Sequence, residues 1–494
     1  MDYDRELIDK FFNRDLSKLV FEDSFGQSWS LGQIIVYLNQ LQFNKNKLNY
    51  KKWYRISGKP NKINLFILLF GLLNGLKLEI CDNEDDFDDT DYKFQKNFNN
   101  VNTKLNLSPK DLNDLKQSTI KRFLHNSDNF ILKITTSGST GVPKAVFLTF
   151  DAISFQGLSI SNDLKLEKID RQLFYMPINY VYGLSIISTW MASQSVLVEA
   201  EYDLNQPGKF LNSIINRSIS VFSGVPYIYS LMVDRWGVEK LISSNVRILT
   251  QAGGRLPYQT KESLISTIGR IEFWVMYGQT EFGARISQYK CSLDSLNDKC
   301  VGRPLNGVKI HIKDRKDSNG TTQVGEIYVS SPSNCLNINE ITQSRLINGD
   351  IYYSTGDYGW QEEEMLYVSG RNKNFIKVSG KRISKEPIFN TMLEFESVYD
   401  CVIESSSKKF PQIIVGLIGD AFPGCESQSS LMKKINKETN NEDWMKLFKK
   451  IPFFIYVLHG EIPRLKNGKL AISKLGKMLK EVSEDQKNSV HIWL

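Results

Sequence analysis

The sequence predicts an α/β fold, with a large N-terminal domain of β-sheets flanked by helices and a small α+β domain after it. Three observations lead there. Short apolar runs recur between turn residues, helix-like stretches separate several of them, and the texture changes near Gly370 to charged residues and short elements. The apolar runs are Phe130–Ile134, Ala145–Leu148, Leu173–Met176, Val196–Val198, Val246–Leu249 and Phe273–Met276, and they read as strands of a buried, parallel sheet. At 494 residues the chain exceeds one ordinary core, so the change near Gly370 is read as a division into residues 1–370 and 371–494.

The earlier elements follow the same logic. The longest apolar run, Ile63–Leu73 (INLFILLFGLL), is interrupted by Asn64 and Gly71. It is too short for a bilayer, which takes ~20 apolar residues, and is expected to be a core helix. Asp82–Tyr92 (DNEDDFDDTDY) lacks the glycine and spacing of a calcium loop and is expected to be a solvated loop.

Composition excludes several classes. Hydrophobic residues make up 41% and aromatics 12%, so a packed core is within reach. A net charge of +7 permits an anionic ligand or an acidic partner, and the lack of a dense Lys/Arg block among aromatics speaks against nucleic acid. Six scattered cysteines without a CxxC pair, and an N-terminus without a signal-peptide pattern, point to reduced thiols and a cytoplasmic protein with no transmembrane segment.

The string richest in chemistry is Thr136–Lys144 (TSGSTGVPK). Flanked by two strand-like runs and lacking a closing Gly-Lys-Ser/Thr, it is not a Walker loop. Its make-up still suits polyphosphate. Gly138 and Gly141 let the backbone approach closely, and consecutive N–H groups can form an anion nest. Ser137, Ser139 and Thr140 bring hydroxyls, and Lys144 brings a point charge.

This string resembles the phosphate loop of the acyl-adenylate-forming superfamily, which includes acyl-CoA ligases, aryl-acid ligases, luciferases and the adenylation domains of peptide synthetases. Further matches follow in the family's order: Tyr277–Gly283 (YGQTEFG), Gly325–Ile327 (GEI), Ser354–Tyr358 (STGDY), Gly370–Ile383 (GRNKNFIKVSGKRI) and Pro463–Lys469 (PRLKNGK). The resemblance implies activation of a carboxylic acid by ATP and Mg²⁺, giving acyl-AMP and pyrophosphate, then transfer to a phosphopantetheine thiol of coenzyme A or of a carrier protein.

The resemblance also assigns residues. Thr136–Lys144 would hold the β- and γ-phosphates, Thr280 would touch the α-phosphate, and Glu281 would bind Mg²⁺. Tyr277 would stack on adenine with Gly278 beside it, and Gly253 and Gly254 would border the nucleotide. Asp357 would accept the ribose hydroxyls, and Arg371 would add a ribose or phosphate contact. Lys469 would be the catalytic cation between the carboxylate and the α-phosphate. Since it lies beyond residue 370, the small domain would act as a mobile lid, with Lys373 at the hinge and Gly380 lining a pantetheine tunnel.

For the acid, Met176–Ile186 (MPINYVYGLSI) resembles the segment bordering the acyl pocket, with walls at Tyr180, Val181, Gly183, Gly224 and Val225. Amino-acid-activating relatives place Asp where this chain has Val181, and a buried ammonium without a carboxylate is costly. A fatty, short branched or aromatic acid is therefore expected. An amino-acid ligase and a non-catalytic nucleotide binder are the competing classes. Asp294–Leu296 (DSL) mimics a carrier attachment site without a helical domain around it, and a stand-alone ligase is expected. Departures from the family pattern are Ala145 for Gly, Pro387 in a helix start, and Leu465–Lys466 before Asn467.

Overall fold

The computed structural model describes residues 2–41, 48–82, 87–96, 98, 107–136, 144–200, 207–297, 299–313, 324–371, 375–378, 381–385, 388, 392, 398–405, 413–419, 453–459, 463, 472–485 and 491–493. The α/β expectation holds. Each apolar run read as a strand forms one, at Ile131–Thr136, Lys144–Thr149, Arg171–Phe174, Val196–Glu199, Ile248–Gln251 and Glu272–Gln279.

Two sheets carry the large part of the molecule. In the smaller, Trp53–Ser57, Lys77–Cys81 and Ile131–Thr136 run parallel, and Lys144–Thr149 returns antiparallel beside the last. The larger has 14 strands. Its run through Val196–Glu199, Arg171–Phe174, Val221–Gly224, Ile248–Gln251 and Glu272–Gln279 is parallel, as expected for strands with helices between them. From Glu272–Gln279 onward the pairing turns antiparallel, through Gly283–Cys291, Cys300–Pro304, Met365–Arg371, Asp350–Glu362 and Gly325–Ser330. The reason is local: a turn of three residues can only fold a strand back on itself, and a parallel return needs a crossover. Later in the chain, Val398–Ser405, Ile413–Gly419, Phe453–His459 and His491–Trp493 form a separate four-stranded sheet, against which the helix Ile472–Asp485 packs.

The Ile63–Leu73 run is the core helix Lys62–Asn74, buried on all sides from Asn64 to Asn74. Asn61 caps its start, and Gly75, at φ +62°, ends it in the left-handed conformation, with the Leu76 amide bonded back to Gly71 O at 2.9 Å. No helix among the described residues is long and apolar enough to cross a membrane.

One expectation is corrected. Asp82–Tyr92 is not simply a solvated loop, because its last residues open the helix Asp89–Lys96. Asp88 caps that helix by accepting from the Asp91 amide at 2.9 Å. The Asp91 carboxylate is buried and accepts from the backbone amides of Arg55 and Asp88, each at 3.1 Å. The acidic run contains a helix start, and one of its carboxylates is spent on orphan amides.

Candidate active site

The loop Thr136–Lys144 joins two strands, as expected, but they pair antiparallel and not parallel, with Thr136 opposite Lys144. Ser137, Gly138, Ser139, Thr140 and Gly141 lie outside the described residues, as do Lys373, Gly380 and Lys469. What is described is the base of the loop. Thr136 Oγ1 donates to Lys144 O at 3.4 Å, and Lys144 Nζ donates to Ile341 O at 3.2 Å.

That bond belongs to a tether. Asn337 accepts from the Phe147 amide at 3.2 Å and donates to Ala145 O at 3.0 Å, while the Leu336 amide donates to Phe147 O at 2.8 Å. One residue earlier, the Cys335 amide donates to Glu281 O at 2.9 Å. The segment Cys335–Ile341 therefore fastens the base of the loop to Glu281, although the two are far apart in sequence. Cys335 itself is buried. Burial first, then the nearby Glu281 charge, pushes its thiol up to about 12, which leaves it un-ionised and unreactive at neutral pH.

Thr280 and Glu281 occupy the tip of a β-hairpin between Glu272–Gln279 and Gly283–Cys291, and both are half-buried. A Thr-Glu pair alone reads as a helix start; here the backbone turns instead. Gly278 permits the tight approach, since a Cβ there would lie 2.0 Å from Ala284 O. Gly283 closes the turn at φ +96°. Gln156, from the helix Phe150–Asp163, fixes the far side. Its Nε2 donates to Arg285 O at 2.9 Å and Ser333 Oγ at 2.8 Å, and its Oε1 accepts from the Arg285 amide at 2.8 Å.

Asp357 meets this hairpin from the long strand Asp350–Glu362. Tyr277 Oη and Gln279 Nε2 both donate to Asp357 Oδ2 at 2.6 Å, and Gln279 also donates to Thr355 O at 3.1 Å. Thr355 Oγ1 accepts from the Asp357 amide at 3.1 Å and donates to Ile327 O at 2.9 Å, anchoring the carboxylate to the strand of the GEI string. A Thr-Gly-Asp string commonly marks a turn. Here it stays inside the strand, with Gly356 at φ +69° and the Gly356 amide held by Ser354 Oγ. Arg371 stands directly across the ladder from Asp357.

The residues expected as acyl walls lie at the start of one helix and at the ends of two parallel strands. Tyr180 is the N-cap residue of the helix Val181–Ser193, whose first turn is pressed against Pro177: a Cβ on Gly183 would lie 2.2 Å from Pro177 O. Gly224 ends one parallel strand and Val225 follows it, and Gly253 and Gly254 follow the neighbouring strand. The Ala252 amide donates to Gly224 O at 3.3 Å, and Gln251 Nε2 donates to Gly254 O at 2.7 Å. Behind them lies a buried hydroxyl cluster. Tyr182 Oη and Tyr229 Oη donate to Thr250 O at 2.8 and 2.7 Å, Thr250 Oγ1 donates to Ser223 Oγ at 3.0 Å, and Tyr175 Oη donates to Ser223 O at 2.6 Å. Burial raises the Tyr180, Tyr182 and Tyr229 hydroxyls above their usual ionisation, so all three remain neutral donors. A cavity of about 20 Å³ between the helices Phe150–Asp163 and Val181–Ser193 and the strand Gly283–Cys291 has room for one water, not an acyl group.

Sequence reasoning missed Gln156, Gln279 and Asn337. Gln279 lies inside the YGQTE string and could have been singled out there; Gln156 and Asn337 belong to no string and act through partners more than a hundred residues away. Among the described residues no three His, Cys, Asp or Glu side chains gather as a metal site.

A family model described as AMP-binding enzyme matches residues 76–336. Malonate–CoA ligase of Arabidopsis thaliana is 29% identical over 299 residues, 56% of this chain and 48% of that protein, so the match spans about half of the relative's length. 2-Succinylbenzoate–CoA ligase of Bacillus cytotoxicus is 28% identical over 356 residues, 70% of each chain. The fold is shared with ATP-bound MatB from Rhodopseudomonas palustris, at a TM-score of 0.72 and 15% identity over 97% of this chain and 99% of that one. It is shared also with O-succinylbenzoate coenzyme A synthetase from Bacillus subtilis, solved with ATP and magnesium ion, at a TM-score of 0.70 and 18% identity over 95% and 99%. With more than half of its residues under that family model, the chain belongs to the AMP-binding enzyme family.

Proposed function

We propose that this chain activates a carboxylic acid with ATP and passes the acyl group to a thiol. A carboxylate oxygen attacks the α-phosphorus and pyrophosphate leaves; a thiolate sulfur then attacks the acyl carbonyl and AMP leaves. The observation that carries this reading is the tether Cys335–Ile341, which holds the Thr280–Glu281 hairpin tip and the base of the Thr136–Lys144 loop together. Negative charge builds up at such a point in the first step, and the chain concentrates donors there.

The roles are those the resemblance implies. Lys144 and the amides and hydroxyls of its loop steady the departing pyrophosphate, Thr280 donates to the α-phosphate, and Asp357 takes the ribose hydroxyls. Mg²⁺ is commonly held by one or two carboxylates together with substrate phosphates, and Glu281, half-buried and tethered to the base of the loop, fits that demand. Bound there, the ion would neutralise phosphate charge. Lys469, from a lid formed by residues 371–494 and hinged at Lys373, bridges the carboxylate and the α-phosphate. The lid then turns to present Gly380 to the pantetheine arm. Coenzyme A is the favoured acceptor, since the relatives are named as CoA ligases; a carrier protein offers the same thiol. Val181, buried where an ammonium partner would stand, favours an acid with an apolar body over an α-amino acid.

The test is acid-dependent ATP–pyrophosphate exchange over fatty, aryl and amino acids, with hits then offered coenzyme A and a carrier protein. Lys469→Ala is expected to abolish exchange while transfer from preformed acyl-AMP survives. Equal loss of both half-reactions removes Lys469 from its role. Silence over the panel with ATP still bound makes the chain a nucleotide binder.

A further inference from the structure

Behind the loops at Gly224 and Gly254, the buried hydroxyl cluster has a cation beside it that the reaction just described leaves without a role. Arg285 lies four residues past Glu281, in the strand Gly283–Cys291, and is 2% exposed. Its guanidinium donates to Gln288 Oε1, and Gln288 donates in turn to Asp163 at 2.6 Å. Its Nε is buried and has no hydrogen-bond partner among the described residues. No described carboxylate pairs with it directly; the acid nearest in effect, Asp163, is reached only through Gln288. Burial pulls its ionisation down to about 10, so it is still a cation at neutral pH.

An Arg in this state is expensive unless something offsets its charge. The surroundings are also fixed in place. Gln156 clamps both the amide and the carbonyl of Arg285. Gly283 and Ala284, directly before Arg285, line one small cavity together with Val181 and Leu184, and Tyr182 lies between those two in the helix forming the expected acyl wall. Tyr182 is bonded to Thr250, and Thr250 to Ser223, in the two strands that end at the Gly254 and Gly224 loops. A buried guanidinium held beside the acyl walls, close in sequence to the reacting end at Thr280–Glu281, matches a carboxylate in both charge and shape.

We propose that Arg285 receives a second anionic group on the acid, so that this chain activates a dicarboxylic acid in which an apolar body separates the two carboxyls. This rests on the ligase reading above and narrows its substrate. One carboxylate reacts at Thr280 and Lys469; the other pairs with Arg285. A monocarboxylic acid of equal length would leave the guanidinium desolvated and unpaired, which is how a polar site rejects an analogue lacking the matching group.

The test uses the full chain and matched acids: succinic against butyric, adipic against hexanoic, suberic against octanoic, terephthalic against benzoic. Pyrophosphate exchange is expected to show kcat/KM for the best diacid about 100-fold or more above its matched monoacid. Arg285→Met is expected to lower that diacid-to-monoacid ratio by a similar factor with the KM for ATP unmoved, and Arg285→Lys to give an intermediate ratio. Monoacids turned over as well as diacids by the unaltered protein overturn the proposal while leaving the ligase reading intact. So does an Arg285→Met variant that loses both substrates equally, since Arg285 is then a packing residue answered by Gln288 and Asp163. If Arg285→Met does not fold, the matched pairs on the unaltered protein and the Arg285→Lys ratio still decide. Exchange with no acid of either kind, ATP still bound, removes the ligase reading and this one with it.

Discussion

Asp357 is the side chain on which the nucleotide half of the site converges. Two donors reach one of its oxygens, and its own amide is held by Thr355, so its position is set before any ligand arrives. Asp357→Asn keeps the shape and removes the charge. Hydrogen bonds to a charged group contribute about 1.5–3 kcal/mol, which corresponds to about 10- to 100-fold in affinity. The KM for ATP in pyrophosphate exchange is expected to rise by such a factor; a variant that is less stable but has an unchanged KM would make Asp357 structural. At this scale the sequence was partly legible. Tyr277 and Asp357 stand out because each sits in a string whose make-up suggests a ligand. Gln279 is equally engaged but is the least distinctive member of its string, and nothing in a one-dimensional pattern says that an amide will reach a carboxylate 78 residues away. Arg285 was invisible for the same reason: its meaning comes from burial without a counter-ion among the described residues, and burial is a property of the packed state.

At the scale of elements, the hairpin that presents Thr280 and Glu281 and the strand that carries Asp357 each hold a glycine at positive φ, and the two differ in kind. Gly283 has φ +96°, and a Cβ there would lie 2.7 Å from the Gln156 side chain and 2.8 Å from Ser333 Oγ. Gly356 has φ +69° with open space around it. Alanine at Gly356 should therefore cost only the backbone conformation, about 1–2 kcal/mol. Alanine at Gly283 should cost that plus displacement of Gln156, about 2–4 kcal/mol in all, with loss of exchange activity as the hairpin tip moves. Urea unfolding of both variants at unchanged m-values measures the difference; equal losses would show that space around Gly283 is not the cause. The parallel strands were readable because short apolar runs between turn residues have few other uses. The antiparallel strands after Gln279 were not, since Gly283–Cys291 is buried at nearly every position and shows no alternation to mark it. The acidic run misled in the opposite way: charge density suggested solvent, while Asp88 and Asp91 were needed to satisfy backbone amides.

For the whole molecule, the N-terminal helix Tyr3–Phe12 braces the helices that build the site. Tyr3 packs edge-on against Phe155 and Phe11 against Trp190, while Arg14 donates to carbonyls at the end of the helix that Val181 opens. Within this brace the Asp4 carboxyl is buried next to Asp151. Burial first, and then the Asp151 charge, pushes it from 3.8 up to about 7, and Asp151 is itself raised by burial. The sign follows from the direction of the shift. The folded chain holds this proton more tightly than the unfolded chain, so the contribution to stability is complete below about pH 4 and is lost as pH rises through about 7. Thermal midpoints should fall between pH 4.5 and pH 8. Asp4→Asn, which cannot ionise, should flatten that slope, leaving the midpoint near the unaltered value at pH 4.5 and above it at pH 8. An unchanged slope in the variant would mean that Asp4 is already ionised in the fold, and that the brace rests on its aromatic contacts and Arg14 alone.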